Sequence, residues 1–156
     1  MTEDPASIKS QAEWLRICLE YGLASRDEVI SWADRHIAES DRPEPSVIDV
    51  ALATAPTQDL LGLLGAVPGE VEFQAIYARF FGELAKRLRN ASDLVPRVAR
   101  ILRSMALTGK SPNARAEAYM QTFTVDLDLG EYAGRDVEEL RTRILAFLDS
   151  NSGVAA

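Results

Sequence analysis

One histidine, His36, is the only imidazole in the chain and so the first candidate for acid–base chemistry near neutral pH. Asp34 lies two positions before it, and on a helix that spacing puts the two on different sides. No local carboxylate orients the ring, and we read His36 as a surface or partly packed histidine. A Ser-His-Asp set assembled in space stays open, because triad members meet in the fold and not along the chain. The sequence has no G-x-S-x-G elbow, no P-loop and no G-x-G-x-x-G fingerprint. Leu61-Gly-Leu-Leu-Gly65 lacks the lysine and the preceding strand that phosphate binding needs, so its glycines are read as helix packing or capping. Asp126, Asp128 and Glu131 form the densest short acidic cluster, yet the glycine and distal glutamate of a calcium loop are missing. We read it as a solvated turn. No catalytic residue, metal set or cofactor is assigned, and an enzyme is the less favoured class.

Charge carries more information. Of the 156 residues, 24 are acidic and 17 basic, a net charge of −7. Residues 86–115 hold Lys86, Arg87, Arg89, Arg97, Arg100, Arg103, Lys110 and Arg115 against Asp93 alone. A basic belt inside an acidic chain pairs with its own acidic helices, or faces an acidic protein or a phosphate backbone. Arg97, Arg100 and Arg103 recur every three residues, so neighbouring pairs share a helix face. The belt has no interleaved aromatics. In the opposite sense, Glu13, Glu20, Asp27, Asp34, Glu39 and Asp41 form an acidic front that would steer a basic protein partner by long-range attraction.

Positioning these groups falls to helices. Phe73, Ile76, Tyr77, Phe80, Phe81, Leu84 and Leu88 step by threes and fours, which predicts a central helix over 71–88 with one broad apolar face. Ala75, Ala78, Gly82 and Ala85 are small neighbours that admit close helix approach. Ser7 is expected to cap a first helix that stops at Gly22, and Ser25 to Glu28 reads as a capping box for a second. Prolines at 43 and 45 break that helix. A short apolar helix over 47–54 is expected inside, and Thr57 is expected to cap the next. Ser92 or Asp93 caps a helix that Gly109 ends, and Ser111-Pro112 opens another. Thr122 to Leu129 alternates apolar and polar residues, a strand signal; with no partner strand, an extended connection or helix end is favoured. Asp136 to Glu139 starts a final helix. The expected fold is all-α, an irregular bundle of seven to eight helices, with a helical-hairpin superhelix as the alternative. Residues 7–150 are read as one domain, 1–6 as a loose tail and 151–156 as frayed.

Cys18 is the sole cysteine, which excludes an internal disulfide and a thiolate zinc cage. The N-terminus lacks the pattern of a signal peptide, and no apolar run approaches the roughly 20 residues of a membrane span. A cytoplasmic location is expected.

The segment from Glu13 to Ala53 resembles the opening of small helical bacterial immunity-type proteins. It pairs Trp14, Leu15, Tyr21 and Gly22 with a capped helix carrying Trp32, Ala33 and Asp34, then a proline turn and a short apolar helix. The resemblance implies a binding protein that covers a toxin without turnover or cofactor. It carries over no functional residue. The reading is therefore an acidic, non-enzymatic protein-binding module, with such an inhibitor as its sharpest form. The alternative is a regulatory module that contacts nucleic acid through the belt.

Overall fold

A computed structural model describes residues 5–54, 56–133 and 137–153, with side chains described except at 5–7 and 129–133. The chain packs as two compact units, residues 1–72 and 73–156. All regular structure among the described residues is helical, as expected. Each unit is an irregular bundle.

Helices α1 (Pro5–Glu20), α2 (Arg26–Glu39), α3 (Pro45–Ala51) and α4 (Thr57–Gly65) build the first unit. Their apolar stripes meet in a core of Ala12, Leu19, Val29, Ala33, Val47, Val50, Leu60, Leu64 and Val67, with Trp32 packed against it. Trp32 keeps its indole N–H satisfied, donating to Gln11 Oε1 at 2.7 Å. Cys18 is buried and forms no disulfide. The turn after α1 follows from Gly22, whose φ of 75° is open to glycine at little cost. Leu23 N–H then donates to Cys18 O at 2.7 Å and Gly22 N–H to Leu19 O at 3.2 Å, closing a Schellman motif. Ser25 caps α2 as expected, its hydroxyl accepting from Glu28 N–H at 3.2 Å.

Three expectations in this unit need correction. Helix α1 begins at Pro5, two residues before Ser7. Proline tolerates the first turn, so no serine cap is needed to start there. Thr57 is the first residue of α4; Pro56 occupies the cap position without a side-chain hydrogen bond. Leu52 follows the end of α3 and is 72% exposed, because Val47 and Val50 already supply the buried side of that short helix.

Gly69 lies between α4 and the second unit in a conformation reserved for glycine. Its φ is 133°, and a Cβ there would lie 2.8 Å from Lys9 Cβ. Both the backbone and the space require glycine. Gly69→Ala is expected to lower stability by about 1–3 kcal/mol, read as a drop in thermal midpoint by far-ultraviolet circular dichroism; an unchanged midpoint would show that the turn relaxes freely.

The second unit holds α5 (Phe73–Asn90), α6 (Val95–Leu107), α7 (Ala114–Met120), α8 (Thr122–Ala133) and α9 (Val137–Asn151). A single residue, Gln121, parts α7 from α8; counted as one bent helix, they bring the total to eight among the described residues. Helix α5 is the expected long amphipathic one, with Ile76, Phe80, Phe81, Leu84, Ala85 and Leu88 buried. Phe73 stays 43% exposed at its start. Helix α9 packs along α5, and α6 packs on α7 and α8. Arg141 of α9 donates to Leu88 O and Arg89 O at 3.0–3.2 Å, satisfying carbonyls at the C-terminal end of α5. Gly109 ends α6 at a φ of 71° as expected, through the same motif as Gly22, with Lys110 N–H on Met105 O at 2.8 Å.

Residues 122–129 are helical, neither strand nor extended connection. Met120, Phe123 and Leu127 are buried at steps of three and four, while Val125 is 56% exposed. The helical period lay beneath the alternation. Asn113 caps α7, its side chain accepting from Ala116 N–H at 2.8 Å, so the expected cap at Ser111 is two residues early. Ser111 hydroxyl instead donates to Asn113 O at 3.2 Å. Neither Ser92 nor Asp93 caps α6: both sit in a 3₁₀ turn, Ser92–Leu94, with Pro96 in the first turn of the following helix. The Asp136 half of the last capping box lies outside the described residues. Ser152, read as frayed, is buried, with its hydroxyl on Asp149 O at 3.1 Å and its Cβ near Gly82.

Candidate functional site

The sequence-derived charges divide along the unit boundary. Residues 1–72 carry 14 acids and 5 bases, net −9; residues 73–156 carry 10 acids and 12 bases, net +2.

Helix α2 holds the exposed heart of the acidic front. Asp27 and Asp34 are two turns apart and exposed, Glu39 ends the helix, and Asp41 follows it, also exposed. Glu20, at the end of α1, is exposed as well. Glu28, absent from the expected set, adds a further exposed carboxylate in the first turn of α2. Glu13 does not belong to this surface. Its side chain is 5% exposed and accepts from Lys9 Nζ at 2.7 Å and from Arg16 Nη1 at 3.5 Å. Lys9 also donates to Gly65 O at 2.8 Å, so the group ties α1 to the end of α4. Gly65 supplies only its backbone oxygen to this group; a Cβ there would meet the Arg16 guanidinium at 3.4 Å, an ordinary contact that does not require glycine.

The belt is split among several helices. Arg87 pairs with Glu83 at 3.1 Å, and Arg89 pairs with Asp149 of α9. Those two cations are already answered within the unit. Lys86 on α5 and Arg97, Arg100 and Arg103 on α6 are exposed. Arg100 and Arg103 make no hydrogen bond or ion pair among the described residues. They carry the strongest unanswered positive charge of α6. Lys110 is half-buried, and Arg115 stands on α7.

His36 is half-buried in the last turns of α2, and its Nε2 is shielded from solvent without a partner among the described residues. Asp34 points outward, as the two-residue spacing demands. Among the described residues no three His, Cys, Asp or Glu side chains gather to hold a metal ion. Asp126 pairs with Arg143, and Asp128 is exposed on α8.

A site that the sequence did not disclose lies between α7–α8 and α9. It is a groove of about 890 Å³, within the range of small-molecule sites. Arg115, Tyr119, Thr122 and Asp126 come from one side at steps of four, three and four; Arg143, Ala146, Phe147 and Ser150 come from the other. Phe147 is the hub of its rings, with centroids 5.2 Å from Phe123, 5.5 Å from Phe81 and 6.4 Å from Tyr119. The only local signal was the 115–119–122–126 spacing, and the residues of α9 that face it begin at Arg143, 17 positions beyond Asp126.

No helix of the described residues is long and apolar enough to cross a membrane. No family model, curated protein or solved structure matches this chain.

Proposed function

We propose that this chain is a non-enzymatic protein-binding module whose acidic first unit receives a basic partner. The observation that carries the reading is the concentration of charge: a net −9 within residues 1–72, with Asp27, Asp34, Glu39 and Asp41 exposed on and just beyond one helix. Such a field speeds encounter with a cationic surface and weakens as salt is added. Inhibition of a basic toxin, in the manner of immunity-type proteins, is the sharpest form of this reading. Glu13 takes no part, being held inside by Lys9.

The test begins with the tagged chain retained at low salt from its own cells, and continues with stopped-flow association of the captured partner. Asp27→Lys with Asp34→Lys is expected to slow association by about tenfold at low ionic strength and to leave dissociation nearly unchanged. An unchanged association rate removes this surface. A second reading, contact with nucleic acid through the belt, is favoured by one observation, the exposed and unanswered Arg100 and Arg103. Retention of a nucleic acid duplex, with a steep loss of affinity as salt rises, would decide for it.

A further inference from the structure

We propose that the groove between α7–α8 and α9 binds a small aromatic monocarboxylate, with Arg115 holding the carboxylate and the ring lying on Tyr119, Phe123 and Phe147. The groove offers both halves of such a ligand a partner. Its charged lining sums to +1, because Arg143 and Asp126 neutralise each other, while Arg115 makes no hydrogen bond or ion pair among the described residues. A guanidinium matches a carboxylate with two parallel N–H···O bonds, a geometry no neutral group reproduces.

The apolar half is aromatic in kind. Phe123 is 3% exposed and forms an edge contact with Phe147, and Tyr119 is 52% exposed against the same ring. Planar guests pack on such rings by offset or edge contact. Ala116 and Ala146 line the groove with methyl groups only, so no bulky side chain occupies those two positions. Half-exposed Tyr119 over buried Phe123 and partly buried Phe147 is otherwise an unused apolar surface. Thr122 and Ser150 supply hydroxyls at the rim.

This site is separate from the acidic front, and its test does not depend on any protein partner. The full chain is titrated with 2-naphthoate by calorimetry and by amide chemical shifts, with 2-naphthalenemethanol as the neutral analogue. Naphthoate is expected to bind with shifts concentrated in 114–126 and 143–151, and the alcohol at least tenfold more weakly. Arg115→Gln, an exposed change that leaves the core intact, is expected to weaken naphthoate about tenfold, the loss of one charge-assisted contact. Ala146→Trp, which fills the groove from an exposed position, is expected to abolish binding. Equal affinity for the alcohol, an unchanged affinity in Arg115→Gln, shifts outside the groove, or no binding of naphthoate at millimolar concentration would each overturn the proposal.

Discussion

Glu13→Ala is expected to destabilise the first unit by about 3–5 kcal/mol, the cost of leaving one member of a buried ion pair without the other. Lys9 Nζ would keep only the Gly65 carbonyl, with its charge still enclosed. The double change Lys9→Met with Glu13→Leu removes both charges and fills similar volume, so it is expected to recover most of that loss. Hydrogen exchange of α1 and α4 amides checks both. Fast exchange in the single variant and near-native protection in the double one is the expected pattern; equal protection in wild type and Glu13→Ala would mean that the pair contributes nothing. Glu13→Leu alone separates charge from packing: it restores apolar volume but leaves the Lys9 charge enclosed without its carboxylate, so it is expected to stay nearly as unstable as Glu13→Ala.

Phe81→Ala is the second large effect, about 3–5 kcal/mol in the unit built on α5. The ring is fully buried and packs on Phe147 at 5.5 Å between centroids. Removing it leaves a cavity as well as the lost transfer energy, and neighbours at native density fill such space only in part. Thermal and urea unfolding followed by circular dichroism give the measure. Phe81→Leu, which keeps most of the apolar volume, is expected to cost well under half as much, and equal losses for the two would exclude a cavity as the cause. Phe147 also lines the groove, so Phe81→Ala loosens the groove floor while leaving Arg115 in place.

Helix α5 was legible because one sequence pattern sufficed: seven apolar residues at helical spacing leave a single face to bury. Ser25, Gly22 and Gly109 were equally plain, since a cap or a left-handed stop is decided by one or two residues. Boundaries shifted where several residues could serve, as at Thr57 and Ser111, because Pro56 and Asn113 competed for the same position. The segment 122–129 misled through its alternation, which burial of Phe123 and Leu127 four residues apart overrode.

The functional surfaces were less legible for a different reason. Sequence registers charge but not depth, so Glu13 counted with Asp27 and Asp34 although a lysine four residues earlier answers it indoors. That i,i+4 spacing was the available warning. For Arg89 the sequence left internal pairing open but could not name the partner, since Asp149 lies 60 residues away. The groove had no local signature at all, since its walls come from separate helices and only packing creates the space between them.

Trp14, Trp32 and Cys18 all belong to residues 1–72, and no tryptophan or cysteine occurs after them. Indole emission excited at the red edge therefore originates wholly in the acidic unit. Labelling of the buried thiol likewise times the opening of that unit alone. The remainder of the chain contributes ellipticity but neither signal, so subtracting an emission trace from an ellipticity trace isolates the behaviour of residues 73–156. The molecule thus carries its own pair of orthogonal reporters, and resolving the two units requires no dye, no added probe residue and no truncation.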